Sequence, residues 1–413
     1  MSTNISSKLS AYLGKCKNMD PSQLQVLLTC FGMWINIQQQ KVQVSLLQKK
    51  LNDILVVYMK RRKCHLMQME DYNNKKLKQM IEYTHSPQQF YELFHVSLPA
   101  FLRMRDILYK QDLEPSGWIP EIELLLFLFW LSSGSSFRKT SSFCGISMPS
   151  LSKIFQDIFN KFLVNLSNVI QFQKTDTEYL CTGFQKLTSC HIFGLVMGCL
   201  DTYHVPVNLK SKDEHYINNT QNTSIQVQVV CDYNGAFIDI AVGFPGGMLK
   251  SHVLQCTPLY LESLMPAKGF VLLSGSGFPC LQQPICLIPP FSNADDPLKE
   301  RFNSCQQKVH SVLKKSIGQM HERWKKLFSK PLILSLPLVT KVVIACSIIH
   351  NICIEMEDIW SKEAFIDFNV NEEDTNIYEG QISGESTQKQ MAVSLLSEHE
   401  MQTIMNDYSV YKI

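Results

Sequence analysis

Carboxylates on apolar runs, a glycine-rich turn and clustered cations are the parts of this sequence that could do chemistry. Asp201 closes the run that starts at Gly194, and Asp232 and Asp239 stand on the two runs that follow. Carboxylate oxygens are the ligands that hard divalent ions such as magnesium take. Ser274-Gly275-Ser276-Gly277 has the look of a phosphate-cradling loop, but the lysine that completes such loops does not follow it. His204, His252, His310, His321 and His350 show no helical i, i+4 pair and no cysteine at zinc spacing, so they read as structural or surface histidines. The chain has 14 cysteines and no C-x-x-C pair, which argues against a zinc ribbon or redox motif. Cys199, Cys231, Cys286 and Cys346 lie in apolar runs, as expected of reduced core thiols in an intracellular protein.

The net charge of +2 hides an uneven distribution. Lys60-Arg61-Arg62-Lys63 is either a nuclear-import signal or a solvated helix face. A second basic stretch runs from Lys299 to Lys330, and beyond Glu355 the sign reverses into an acidic tail. Basic patches with an acidic tail suit a protein that associates with nucleic acid or a protein partner; solvated basic faces are the plainer reading.

Helices and strands must position these groups. Residues 1–85 read as a helical N-terminal region, and 86–170 as a helical domain containing a helix-turn-helix. In that motif Phe137, Arg138 and Lys139 lie on a short helix, Gly145 makes the turn, and Ser147 caps a second helix. Leu151, Ile154, Phe155, Ile158, Phe159 and Phe162 follow the i, i+3, i+4 rule on that second helix. Its polar start, Ser150, Ser152 and Lys153, is where such a unit meets DNA, and Arg138 and Lys139 stand beside it. From Ile192 the periodicity turns to strands, with the hairpin signal Tyr233-Asn234-Gly235 between two of them. A helix over 251–264, buried strands at 270–273 and 285–288, and long helices over 297–326 and 338–356 complete an α/β layered fold over 190–357. Residues 358–413 read as an acidic, largely flexible tail with an amphipathic piece from Met391 to Met405. With 45% apolar and 18% charged residues in 413, the chain is not wholly disordered. The longest apolar run, Leu124 to Leu131, falls short of the roughly 18–20 residues of a membrane span. The first residues lack the layout of a secretory signal, and no membrane partner is expected.

Six strings then fall in one order. They are Gly198-Cys-Leu-Asp-Thr-Tyr-His-Val-Pro206, Ser224 to Asp232, Val242-Gly-Phe-Pro-Gly246, Leu272-Leu-Ser-Gly-Ser-Gly-Phe-Pro279, Phe302 to Trp324, and Ile349-His-Asn-Ile-Cys353. In this order they resemble the Harbinger transposase-derived nucleases, DDE-type enzymes. The resemblance spans about Phe90 to Glu357. It implies an RNase H-like mixed sheet with flanking helices, preceded by an all-α region holding the helix-turn-helix.

The resemblance also implies a chemistry. Such enzymes cut phosphodiesters with two divalent ions, magnesium or manganese, held by three carboxylates. Carried over residue by residue, the first acid falls on Asp201, the second on Gly275 and the third on Lys314. The expectation is a degenerate site with Asp201 as the vestigial ligand and no cofactor. Lys250 and Lys314 would then make the pocket positive and phosphate-binding, or Lys314 would pair with Asp201. A re-wired nuclease using Asp201 with Asp232 or Asp239, and a protein scaffold without DNA contact, are the alternatives. The implied partners are DNA and a Myb-like DNA-binding protein. The expected location is the nucleus, with the cytoplasm as alternative.

Overall fold

The computed structural model describes residues 86–110, 120–172, 177–209, 213–293, 296–360, 384–392 and 394–395. The expected helices of 1–85, including Lys60 to Lys63, lie outside the described residues. Ser86 and Ser97 cap α1 (Pro87–Phe94) and α2 (Leu98–Leu108), accepting from the N–H groups of Gln89 and Ala100. The continuous helix expected over 86–108 is broken because His95 ends α1 in the left-handed region, at φ 59°. α3 (Pro120–Ser133) is buried from Glu121 to Ser132, on every face. α4 (Phe137–Cys144) ends at Gly145, φ 67°, and Ser147 then caps α5 (Met148–Val164).

The apolar stripe read from the sequence is the stripe that α5 buries: Leu151, Ile154, Phe155, Ile158, Phe159 and Phe162. Ser147 Oγ accepts from Ser150 N at 3.4 Å, which satisfies one of the four N–H groups that a helix start leaves open. Ser147→Ala is therefore expected to lower stability by about 1 kcal/mol. An unchanged urea-unfolding midpoint would remove the cap from the account.

α6 (Leu166–Val169) and α7 (Thr177–Thr188) lead to β1 (Val196–Pro206), β2 (Ser224–Cys231) and β3 (Phe237–Pro245). The helix expected over 251–264 is two short ones, α8 (Lys250–Gln255) and α9 (Pro258–Leu261). After them come β4 (Val271–Ser274), β5 (Leu287–Ile288), α10 (Pro297–Arg323), α11 (Lys325–Phe328) and α12 (Leu336–Glu355). The strands form a five-stranded mixed sheet of order β3-β2-β1-β4-β5. β1, β2 and β3 pair antiparallel, while β4 runs parallel to β1 and β5 parallel to β4. This arrangement is consistent with a DDE nuclease fold.

The β2–β3 hairpin forms as its Asn-Gly signal predicts, with the positive φ, 90°, at Gly235. The turn is clamped from behind by α12. His350 Nε2 bonds Gly235 O at 3.1 Å, Asn351 Oδ1 accepts from Phe237 N at 2.8 Å, and Asn351 Nδ2 donates to Phe237 O at 2.6 Å.

One hydrophobic core runs through α1 to α5, one face of the sheet, α10 and α12. The expected boundary between 86–170 and 190–357 is thus no break in the core. A second cluster, including Leu200, Val230 and Ile238, sits under Leu254 and Leu259 of α8 and α9 on the sheet's other face. α12 adds to the reading of apolar runs: it has 20 residues, and an 18-residue window of it has a mean hydropathy of 1.8, long and apolar enough to cross a membrane by composition. It is buried from Val342 to Cys353 inside this fold, which accounts for the same composition.

Part of the tail is also docked. Residues 385–392 are helical, and Met391, Ala392 and Leu395 join the main core. Gln388 Nε2 donates to Pro289 O at 2.7 Å. Residues 384–390, expected within a flexible linker, are thereby held beside β5.

Candidate active site

β4 pairs with β1 only as far as Ser274 opposite Leu200, and Gly275 N then donates to Leu200 O at 3.1 Å. The next residue on β1 is Asp201, so its carboxylate stands at the carboxyl end of the parallel pair. In mixed α/β sheets such an end opens a crevice. β1 itself continues to Pro206, past the end expected at Asp201, because β2 goes on pairing with it.

Asp201 is buried, and both carboxylate oxygens have partners. Lys250 Nζ donates to Oδ1 at 3.0 Å and Thr202 N to the same oxygen at 2.7 Å. His310 Nε2 meets Oδ2 at 2.6 Å, from the middle of α10. Lys250, the first residue of α8, is 7% exposed and also reaches Ser276 O at 3.4 Å.

Burial alone pushes the Asp201 carboxyl up. The Lys250 ammonium, the His310 hydrogen bond and charge, and the Thr202 N–H outweigh it and hold the group below the usual carboxylate range. Burial and the same ammonium lower His204, further along β1, to about 4.

Beside this network lies a cleft of about 430 Å³, lined by the Ser274–Ser276 turn, Gln306, His310 and Lys314. The three positions carried over from the resemblance, Asp201, Gly275 and Lys314, do converge here. Gly275 owes its identity to space: a Cβ on it would stand 2.2 Å from Asp201 Oδ2. Lys314 does not pair with Asp201. The ion pair expected of Lys314 is made by Lys250, and the residue of α10 that touches Asp201 is His310. His310 lies four positions earlier, about 6 Å along the helix. Lys250, expected to face phosphate, is buried against a carboxylate instead, and of the two readings given to His310, structural or surface, its bond to Asp201 supports the structural one. The signal that could have found His310 is its i, i+4 relation to Lys314, which puts both on one helix face.

The other acids do not join Asp201. Asp232 closes the hairpin, with Oδ1 accepting from Asn234 N at 2.9 Å and Ala236 N at 2.8 Å. Asp239 pairs across the sheet with Val230, and Val230 with Leu200. Successive residues of a strand alternate faces, so Asp239 lies on the face away from Asp201. Burial raises it to about 6. Glu322 pairs with Lys325 at 3.2 Å, and Glu300 lines the far end of the cleft. Arg138, Lys139, Ser152 and Lys153 are exposed on α4 and the start of α5, with Ser150 half-buried among them.

The DDE superfamily endonuclease family matches over Gly198 to Asn351, the stretch that contains the sheet, Asp201, His310 and the α12 clamp. Residues 198–351 are a DDE superfamily endonuclease domain. The chain is homologous to HARBI1, a protein with nuclease in its name. The rat protein is 27% identical over 254 residues, covering 59% of this chain and 70% of the rat one, and the human protein is 26% identical over the same length. The Arabidopsis thaliana protein named antagonist of like heterochromatin protein 1 is 22% identical over 290 residues, covering 62% of this chain and 70% of its own. No solved structure matches.

Endonucleases of the DDE superfamily work with divalent metal held by acids. As arranged, the residues of this endonuclease domain do not fit a pair of such ions. An ammonium already pairs with Asp201, Gly275 has neither a ligand nor room for one, and Lys314 carries the wrong sign. At an effective dielectric of 20, a dication 4 Å from the Lys250 ammonium is repelled by about 8 kcal/mol. Among the described residues, no three His, Cys, Asp or Glu side chains gather as a metal site would require.

Proposed function

We propose that this chain is a domesticated, transposase-derived protein whose nuclease centre has decayed, and that it works in the nucleus as a DNA-associated or protein-interaction module. The observation that carries this reading is the saturation of Asp201 by Lys250 and His310, with Gly275 packed against its carboxylate. The α4–Gly145–α5 unit acts as the helix-turn-helix, presenting Arg138, Lys139, Ser150, Ser152 and Lys153 to DNA. The name of the Arabidopsis relative, an antagonist of a heterochromatin protein, supports work on chromatin. A Myb-like protein is the partner that the family resemblance suggests.

Two measurements on the purified full chain test this. Supercoiled plasmid incubated with magnesium or manganese is expected to stay un-nicked; metal-dependent nicking that Asp201→Ala abolishes would overturn the decay. Arg138→Ala and Lys153→Ala are expected to weaken retention of duplex DNA and to reduce the salt slope by about 1 for each phosphate that is no longer neutralised. Unchanged retention would leave a protein scaffold without DNA contact.

A further inference from the structure

Cys190 and Cys305 stand 115 residues apart in the chain, yet their sulfurs meet at 3.8 Å. Cys190 lies in the turn between α7 and β1, and Cys305 belongs to the buried stripe of α10. α7 packs along α10, which brings the two thiols together. The bond of a disulfide is about 1.8 Å shorter than this contact. A change of χ1 well carries a sulfur further than that, so the gap is within side-chain reach.

Both thiols lie just beneath the surface. Cys190 is 7% and Cys305 6% exposed, and their chain neighbours Ser189, His191 and Ser304 are exposed. A small local opening of the turn therefore admits a small oxidant. Cys199 and Cys231, which face each other in register on β1 and β2, are sealed more tightly inside the sheet. Burial and the neighbouring Cys190 thiol raise Cys305 to about 11, against the pull of Lys308 and Arg301. The thiolate is the reacting form, so the pair rests as thiols in a reducing compartment and reacts slowly when an oxidant arrives. Position gives the pair a consequence. Ser304 and Gln306, on either side of Cys305, line the cleft beside Asp201. Cys190 stands just ahead of β1, the strand that carries Asp201.

We propose that Cys190 and Cys305 are an oxidation site, converted by a peroxide into an intramolecular disulfide and restored by a dithiol reductant. One thiolate attacks the peroxide O–O bond, which gives a sulfenic acid and, with a proton, a first water. The other sulfur then attacks the sulfenic sulfur, the S–S bond forms, and the hydroxyl leaves as a second water. Two thiols and one hydrogen peroxide thus become one disulfide and two waters, with two electrons passing from the sulfurs to the peroxide. A dithiol returns those electrons by exchange. The closed loop contains all five strands, so the bond restricts the unfolded chain and staples the helical wall of the cleft to the approach of β1.

The test uses the full chain, reduced, freed of reductant and treated while folded with hydrogen peroxide. Remaining thiols are then alkylated in denaturant, and the unreduced peptides are mapped by mass spectrometry. The expected product is a cross-linked peptide joining Cys190 to Cys305, two hydrogens lighter than its halves together and split by dithiothreitol. Its formation should speed up from about pH 7 to 9, as the thiolate fraction grows. Oxidation should raise the parent's unfolding temperature by roughly 5–10 °C, and reduction should reverse the rise. Cys190→Ser and Cys305→Ser should show no such rise. Cys190→Ala and Cys305→Ala repeat the comparison if serine disturbs the packing, and the cross-link in the parent requires no variant. Recovery of both residues as alkylated thiols, under conditions that oxidise the exposed Cys256, would overturn the proposal. So would a cross-link that joins either of them to a different cysteine, or a Cys199–Cys231 bond formed in their place.

Discussion

Asp201→Ala is expected to destabilise the fold by about 3–5 kcal/mol, the usual loss when one partner of a buried ion pair is removed. The reason lies with Lys250, which is 7% exposed and would be left buried without the carboxylate that balances it. The double variant Asp201→Ala/Lys250→Met should recover most of the loss, because it removes both charges of the pair together. Chemical unfolding of the three proteins measures this. Equal stability of Asp201→Ala and the parent would show that the pair does not hold the sheet end together. Magnesium should leave the parent's unfolding temperature unchanged, since an ion that binds only the folded state would raise it.

The pH dependence separates two sets of groups. The depressed Asp201 carboxyl contributes stability above the unfolded aspartate value of about 3.9, and loses it only as pH falls towards its own lower value. His204, His321 and His350 are lowered to about 4, chiefly by burial. Unfolded histidines bind a proton near pH 6.5, so each begins to favour the unfolded chain there and continues to do so down to about pH 4. Asp239, raised to about 6, acts in the opposite sense between about pH 6 and 4, but it is one group against three, so the histidines govern the first acid loss of stability and Asp201 the last. A stability that stays flat from about pH 6.5 to 4 would contradict this assignment.

Gly275→Asp puts back the acid that the family resemblance expects, and it should not rebuild a metal site. The new Cβ would stand 2.2 Å from Asp201 Oδ2 and 2.7 Å from its Cγ. Either Asp201 leaves its network or the β4 turn shifts, and overpacking of this kind costs on the order of 3 kcal/mol. A second carboxylate beside the first adds repulsion. The Lys250 ammonium meanwhile still pairs with Asp201 Oδ1 and repels a cation there. The expected result is a lower unfolding temperature with no response to magnesium. A variant as stable as the parent and stabilised further by magnesium would show that the pocket can still open to an ion.

Local rules account for much of what could be read without coordinates. Ser147 caps α5 because a serine hydroxyl satisfies a free helix N–H wherever an amphipathic run begins. The six residues buried on that helix follow from a 3.6-residue period. Alternation and the Asn-Gly turn likewise placed β2 and β3 within a residue or two of their observed bounds. These are properties of short segments, so the segment carries the information.

Asp201 could be picked out by its motif, but the groups that complete its surroundings could not. Lys250 is 49 residues away and His310 109 residues away, on helices that approach β1 from different parts of the chain. Motif spacing pointed to Lys314 on α10, whereas the helix's rotation and its height above the sheet brought His310 to the carboxylate. Chain order and residue type revealed the strands, the capped helices and the mixed α/β class, and the family resemblance placed Gly275 and Lys314 where acids are expected. Folding in three dimensions settled which cation pairs with Asp201 and which face each aspartate occupies, and it left Gly275 without room for a side chain. A contact between distant segments depends on how packed elements are turned and stacked, and no local pattern of residues encodes that.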